Sequence, residues 1–267
     1  MADYDPAGRS RVGGEEIAAG LRALGLESGD MVHVHSSLSS FGYVEGGAAT
    51  VVDALLAALG PEGTLMVPTF NHAQPRAFDD PDDPVFDPRT TRSVNGVITN
   101  EVWQRPGAER SIHPTHPCAA IGPKAEWLTA EHLELKTFDE RSPLGKLTSS
   151  GGKILMLGVA MNTCTAAHVA ETRAGARCMG YRQWPRKVRL PDGRIVEGRS
   201  VLWRGEGDCR VEWQPIEGEL RQRGLIRDRR IGDAHVWMMS GEDMVEVTYE
   251  LCLERCPDCP VRPRELE

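Results

Sequence analysis

A histidine and a glutamate stand three residues apart, at His168 and Glu171, shortly after the apolar run KILMLGV of residues 153–159. If this stretch is helical, a spacing of three places both side chains on one face. They could also converge at the carboxyl end of the strand, where α/β proteins build their sites. A carboxylate fixes the tautomer of an imidazole and favours its charged form, so the pair can act as a general base. The alternative is an ordinary helical histidine beside a surface glutamate.

A proline-stiffened segment, RSIHPTHP over residues 110–117, offers a second group of polar side chains. The prolines restrict the backbone that carries them, which orients neighbouring side chains in advance. The hydrogen-bonding residues of this segment are Arg110, Ser111, His113 and His116. The segment could therefore hold a ligand, or it could be a rigid connector whose histidines are solvated.

The strand-like run MVHVH places His33 and His35 on one face, because side chains alternate along a strand. Such a pair can ligate zinc in a hydrolase, although the sequence contains no HExxH motif. The run SSLSSFG at 36–42 could present backbone N–H groups and hydroxyls to a phosphate. It is not the phosphate-binding pattern GxxxxGK(S/T), which is absent from the sequence, and a plain Ser-rich turn is the alternative.

The seven cysteines are not laid out as a disulfide framework, which favours a reducing compartment. Cys256 and Cys259 form a CxxC pair near the C-terminus. A structural zinc needs four ligands, of which Cys209 could be the third and Cys252 or a histidine the fourth. Redox pairing and free thiols are the other interpretations.

Hydrophobic periodicity predicts the elements that position these residues. Helices are expected over 13–27, 48–59, 94–104 and 123–131, and strands over 31–35, 64–68, 118–121 and 153–159. Their order with short links predicts an α/β fold in which helices cover a parallel or mixed sheet. The Pro- and Asp-rich residues 71–93 form a long loop, and Asp192-Gly193 marks a hairpin. A single domain over 1–267 is expected, with a soft internal boundary near residue 180.

The composition limits the classes of partner. The 267 residues include 31 basic and 39 acidic side chains, and the net charge of −8 disfavours nucleic acid because phosphate binding needs a basic face. An acidic surface, with its Asp-rich stretch at 79–87, would attract a small cationic substrate. A membrane span and a secretory signal are not evident in the sequence, so a cytoplasmic location is expected.

Together these segments resemble the aminoglycoside 3-N-acetyltransferase family. The resemblance rests on the order and spacing of motifs spread over most of the chain, and it is strongest over residues 15–175. The motifs are VHSSLSS at 34–40 followed by Gly46-Gly47, LAALGPEGTLMVP at 56–68, RSIHP at 110–114, Ser142-Pro143-Leu144, residues 152–159 and TAAHVAE at 165–171.

The resemblance implies a single three-layer α/β/α domain with a hairpin-containing C-terminal part. It implies acetyl-coenzyme A as the acetyl donor and an amino group as the acceptor. His168 matches the catalytic histidine of the family and Glu171 the acidic residue beside it, while Glu206 and Asp208 are the candidates for an acidic residue facing the acceptor. The residues expected at the coenzyme are His35, Ser36, Ser37, Leu38, Ser39, Ser40, Phe41, Gly42, Arg110, Ser111, His113 and Ser142. Relatives with similar cysteines imply a structural zinc on Cys209, Cys256 and Cys259.

The predicted function is transfer of acetyl to the 3-amino group of an aminoglycoside, directly within a ternary complex, with His168 as general base. The same fold could act on a non-antibiotic amine, or bind the coenzyme without turnover. The alternative from another class is a zinc-dependent hydrolase built on His33 and His35. The chain is expected to be a monomer or a homodimer.

Overall fold

The computed structural model describes residues 8–71, 85–176, 183–201, 211 and 213–257. Strands in these ranges are β1 (Arg11–Val12), β2 (Met31–Ser36), β3 (Tyr43–Val44), β4 (Thr64–Pro68), β5 (Glu109–Arg110), β6 (Cys118–Ile121), β7 (Lys153–Leu157), β8 (Gln183–Arg189), β9 (Ile195–Val201), β10 (Arg227–Ile231) and β11 (Ala234–Ser240). Helices are α1 (Gly14–Leu24), α2 (Gly47–Leu59), α3 (Val97–Trp103), α4 (Ala125–Thr129), α5 (Pro143–Ser149), α6 (Ala167–Arg173), α7 (Trp213–Gln222) and α8 (Gly241–Arg255). Short 3-10 turns lie at Leu38–Phe41, His132–Glu134 and Met161–Thr163.

A mixed sheet forms the centre of the fold, and seven of the described strands belong to it, in the order β10-β11-β7-β2-β4-β6-β5. β2 runs parallel to β4 and β7, whereas β6 and β11 pair antiparallel with β4 and β7. The carboxyl ends of β2, β4 and β7 therefore meet at one edge, the edge at which open α/β sheets bind ligands. β7 lies between two partners, which agrees with its uninterrupted apolar run.

Helices cover both faces of this sheet. On one face α1, α2 and α3 pack against Val32, Val34 and Leu155. On the other face α4 to α8 pack against residues that include Ile154 and Met156. Alternate side chains of β2 and β7 thus supply two separate cores, because successive residues of a strand face opposite sides. The predicted three-layer α/β/α architecture is confirmed. Among the helices described, none combines the length and the apolarity needed to cross a membrane.

Several predicted elements are confirmed with shifted ends. The helix expected over 94–104 begins at Val97, because Gly96 precedes it with a φ of 105° that ordinary side chains rarely adopt. β8 and β9 pair antiparallel around Asp192-Gly193, as the hairpin signal predicts. Helix α5 is absent from the prediction, although Ser142 caps it and Pro143 occupies its first turn. In the tail, β10 and β11 extend the central sheet.

Candidate active site

His168 and Glu171 meet on one face of α6. The His168 Nδ1 lies 2.6 Å from Oε2 of Glu171. The carboxylate is enclosed, with a side chain 1% exposed, whereas the imidazole is 13% exposed. Because a carboxylate oxygen accepts, Nδ1 carries a proton, and in the neutral imidazole Nε2 then has the free lone pair. The pair follows the loop after β7, at the carboxyl edge of the sheet. This arrangement can remove a proton from an approaching nucleophile.

Two aromatic rings flank this imidazole. The ring centroids of Phe138 and His168 are 5.0 Å apart, and the Trp213 ring meets His168 edge-on at 5.7 Å. The rings shield the imidazole from water, which strengthens its interaction with the carboxylate. No motif in the sequence points to either ring, because both come from segments distant from α6 in the chain.

His35 joins the end of β2 to the segment that precedes α6. Its Nε2 accepts a hydrogen bond from the backbone N–H of Thr165 at 3.4 Å, and lies 3.5 Å from the Thr165 hydroxyl. Burial, followed by the nearby charge of His168, lowers the pKa of His35 to about 3. His35 therefore stays neutral, and its Nε2 remains an acceptor that fixes Thr165, three residues before His168. The predicted contact of His35 with the coenzyme stays a prediction.

The Ser-rich run forms one wall of a cleft of about 560 Å³, a volume that suits a small-molecule ligand. The residues that line the cleft are Ser36, Ser37, Leu38, Ser39, Gly42, Tyr43, Val44, Gly96, Val97 and Ile98. Phe41 lies beneath this wall, fully buried. Hydroxyl groups on one side and the apolar start of α3 on the other give the cleft both polar and apolar contacts.

The end of β7 holds this loop from the inside. The Ser37 N–H donates to the Leu157 carbonyl at 2.9 Å, and the Ser40 hydroxyl donates to the Gly158 carbonyl at 2.7 Å. Gly158 has a φ of 66°, and a Cβ there would lie 2.3 Å from the Cβ of Ser40. Glycine is therefore required where the loop packs against β7. The same strand leads onward to α6, so the cleft and the His168–Glu171 pair share a support.

Ser111 lies inside the protein. Its hydroxyl oxygen accepts from the Cys118 N–H at 2.9 Å and lies 2.9 Å from Nδ1 of His132. His132 donates through Nε2 to the Thr137 carbonyl at 3.2 Å, so its Nδ1 accepts and the Ser111 hydroxyl donates. Burial lowers the pKa of His132 to about 4, which keeps the ring neutral. The Ser111 hydroxyl is therefore hydrogen-bonded to the His132 ring. The sequence contains no motif that points to His132.

The His113 side chain stabilises a turn in the proline-rich segment. Its Nδ1 accepts from the backbone N–H of Thr115 at 3.3 Å and of His116 at 2.9 Å. Its ring lies 4.5 Å from that of His132, measured between centroids. Burial, and then the neighbouring histidines, hold the pKa of His113 well below its ordinary value. The predicted coenzyme contact of His113 stays a prediction, because this buried ring bonds to its own segment.

The Arg110 guanidinium contacts two aromatic rings and several backbone carbonyls. It stacks between Trp103, at 4.7 Å, and Phe86, at 5.1 Å, measured to the ring centroids. It donates to the carbonyls of Thr91 at 2.7 Å and Thr69 at 2.9 Å. These contacts join separate segments of the chain, and the coenzyme contact that the resemblance implies for Arg110 stays a prediction.

Ser142, another residue expected at the coenzyme, caps α5. Its side-chain oxygen accepts from the Gly145 N–H at 3.2 Å, which satisfies one of the free donors at the helix start. The hydroxyl is fully buried. A capping role thus accounts for a serine at this position, and its coenzyme contact stays a prediction.

Part of the predicted site lies outside the described residues, namely Glu206, Asp208, Cys209 and Cys259. Cys256 is partly buried just after α8. Within the ranges that the structure covers, no group of three or more His, Cys, Asp or Glu side chains could hold a metal ion. The predicted zinc therefore gains no support.

The His33–His35 pair is on one face, as predicted, with ring centroids 4.7 Å apart. His33 is fully buried, and neither of its ring nitrogens has a hydrogen-bond partner among the described residues. A third metal ligand does not accompany the pair in that part of the chain. The geometry thus favours the His168–Glu171 pair over the zinc-dependent hydrolase as the chemical centre.

Comparison with known proteins agrees with this geometry. The family described as Aminoglycoside 3-N-acetyltransferase matches residues 33–252 of the chain. An aminoglycoside N(3)-acetyltransferase III of Salmonella sp is 41% identical over 258 residues, which cover 87% of this chain and 89% of the relative. The match therefore spans nearly the whole of both proteins.

Solved structures show the same fold. The structure named AAC-IIIb binary with CoASH superposes with a TM-score of 0.83 at 29% identity, over 92% of this chain and 98% of that one. The structure named AAC-VIa bound to Sisomicin superposes with a TM-score of 0.77 at 30% identity, over 91% and 98%. The chain belongs to the aminoglycoside 3-N-acetyltransferase family, a family of acyltransferases.

Proposed function

We propose that this protein transfers the acetyl group of acetyl-coenzyme A to the 3-amino group of an aminoglycoside. The observation that carries the proposal is the 2.6 Å hydrogen bond between His168 and Glu171, at the sheet edge where the Ser-rich cleft opens. A relative of this fold is bound to CoASH and another to sisomicin, which fits this donor and this acceptor class. The net charge of −8 favours a cationic acceptor.

In the proposed reaction, Nε2 of His168 takes a proton from the acceptor amine as its nitrogen attacks the thioester carbonyl. The carboxylate of Glu171 keeps the proton on Nδ1 and stabilises the imidazolium that forms. A new C–N bond replaces the C–S bond, and the thiolate of the coenzyme leaves and gains a proton. General-base assistance of this kind contributes about 10²–10⁴ in rate.

The negative charge that develops on the carbonyl oxygen needs hydrogen-bond donors. Backbone N–H groups of the Ser36–Gly42 loop are the candidates that we favour, because this loop lines the cleft. The other candidate is the hydroxyl of Ser111, which already donates to His132 in the interior. Donors on this loop would also keep the thioester beside the cleft that we assign to the coenzyme.

Direct transfer of the acetyl group agrees with the protonated form of two buried cysteine thiols. Burial raises the pKa of both Cys118 and Cys164 to about 12. A cysteine reacts as its thiolate, so neither side chain is a competent nucleophile near neutral pH. An acyl-cysteine intermediate on either residue is therefore disfavoured, and the amine attacks the coenzyme thioester itself.

The test is release of the coenzyme thiol, measured with acetyl-coenzyme A against a panel of aminoglycosides and simple amines, with the acetylated position identified by mass spectrometry and NMR. We expect His168→Ala to lower kcat by about 10²–10⁴. The matched control is His235→Ala, since His235 is half exposed on β11. Wild-type kcat in His168→Ala would refute the assigned base, and acetylation of simple amines alone would refute the aminoglycoside acceptor.

A further inference from the structure

The outer side of the Ser36–Gly42 loop is covered by a strap, residues 9–12, from the beginning of the chain. Strand β1 of the strap pairs parallel with β3, which follows the loop directly. The Tyr43 N–H donates to the Ser10 carbonyl at 2.8 Å. Gly42 has a φ of 96°, and a Cβ on it would lie 2.3 Å from that same carbonyl oxygen. The loop therefore ends in direct contact with the strap.

The carboxylate of Asp233, far from the strap along the chain, binds the strap through Ser10 and Arg9. Asp233 lies in the turn between β10 and β11, 223 residues after Ser10. Its Oδ1 accepts from the Ser10 hydroxyl at 2.5 Å, and its Oδ2 accepts from the Ser10 N–H at 3.2 Å. The Arg9 guanidinium lies 3.8 Å from the same carboxylate.

The same turn and strap also hold the loop itself. The backbone N–H of Asp233 donates to the Phe41 carbonyl at 3.1 Å, and the Arg9 guanidinium donates to the Ser39 carbonyl. A Cβ on Gly232, beside Asp233, would lie 2.5 Å from the Phe41 oxygen, so the turn touches the loop backbone. The strap and this turn thus fix two carbonyls of the Ser36–Gly42 loop from outside, while the end of β7 holds the same loop from inside.

We infer that Asp233 is a positioning residue for coenzyme binding, acting through Ser10 and Arg9 on the Ser36–Gly42 loop. The inference rests on the proposed function, in which that loop holds acetyl-coenzyme A. Asp233 sits outside the cleft lining and acts on the backbone that forms it. Its side chain is 38% exposed, and exposed ion pairs contribute little to global stability. Its removal should therefore change coenzyme affinity far more than folding.

The experiment compares Asp233→Ala and Ser10→Ala with the wild-type protein. Isothermal titration with coenzyme A gives Kd, and the thiol-release assay gives kcat and both KM values. We expect Kd for coenzyme A and KM for acetyl-coenzyme A to rise about tenfold in each variant, the equivalent of roughly one lost hydrogen bond. The kcat and the KM for the aminoglycoside should stay within about twofold of wild type.

Asp192→Ala is the matched control, because Asp192 is an exposed turn carboxylate that binds Arg194 in its own hairpin. Asp233→Asn, which keeps an acceptor for Ser10 but loses the charge, should give an intermediate affinity. Unchanged coenzyme affinity in both Asp233→Ala and Ser10→Ala would overturn the inference, as would an equal loss in Asp192→Ala. If the wild-type protein itself neither binds coenzyme A nor releases thiol, the proposed function fails first and this inference fails with it.

Discussion

Replacing Glu171 by glutamine isolates the charge of the carboxylate from its shape. The amide oxygen of Glu171→Gln can still accept from Nδ1 of His168, which lies 2.6 Å from Oε2 in the native protein. The negative charge is lost, and water cannot replace it because the side chain is only 1% exposed. The imidazolium that forms during proton transfer then faces a neutral partner. We therefore expect the substitution to slow the chemical step.

The size of the effect follows from the kinds of hydrogen bond exchanged. A hydrogen bond to a charged group contributes about 1.5–3 kcal/mol, and a neutral one about 0.5–1.5 kcal/mol. The difference, about 1–2 kcal/mol, applies when the imidazole is charged, and each 1.36 kcal/mol is tenfold in rate. We expect kcat to fall by about 5- to 30-fold, with both KM values nearly unchanged, because the interaction strengthens only in the transition state.

The thiol-release assay at saturating acetyl-coenzyme A measures this change. Glu246→Gln is the control. Glu246, on α8, accepts a hydrogen bond from Arg173 at the end of α6, but its side chain is half exposed. If Glu171 acts through His168, the double variant His168→Ala/Glu171→Gln should be no slower than His168→Ala alone. An unchanged kcat with a raised KM in Glu171→Gln, or fully additive losses in the double variant, would refute the reasoning.

Two further predictions concern buried side chains. Cys164→Ala should keep kcat within about threefold of wild type, and iodoacetamide near pH 7 should not inactivate the protein through this thiol, because burial raises its pKa to about 12. A large loss in the thiol-release assay would instead indicate an acyl-cysteine. His33→Leu should keep acetyl transfer and reduce the fall in Tm at acid pH. Burial holds the pKa of His33 well below its ordinary value, so the unfolded chain binds a proton that the folded protein does not. Native stability is therefore lost as the pH falls below about 6.5, and the leucine variant lacks this loss. Circular-dichroism melts between pH 7 and 4 measure this decline, and a slope equal to that of wild type would contradict the explanation.

Local patterns were sufficient to predict the centre of the fold. The apolar run that became β7 and the spacing of His168 and Glu171 both report on neighbouring residues, which is why they predict a buried strand and a shared helix face. The Ser142-Pro143 pair also carries a signal for a helix start, a capping serine followed by proline in the first turn. That helix could have been predicted from the sequence.

Other features depend on contacts between distant segments. The turn that carries Asp233 touches a loop almost two hundred residues earlier, and a single sequence holds no record of that pairing. For Arg110 the sequence shows only a cation in a proline-rich segment. The structure shows the rings of Phe86 and Trp103 near its guanidinium and a hydrogen bond from it to the Thr91 carbonyl, contacts that come from separate segments of the chain. Residue type alone does not distinguish these environments.

The buried histidines show why one imidazole is suited to carry charge. Burial lowers the pKa of His33, His35 and His132. Protonating any of them would place a positive charge in the interior, and among the described residues none of the three rings is hydrogen-bonded to a carboxylate. His168 differs because Glu171 supplies a buried negative charge at 2.6 Å. A neutral His35 nearby adds no positive charge beside this pair, so the buried carboxylate contact distinguishes His168 from the other three rings as the candidate base.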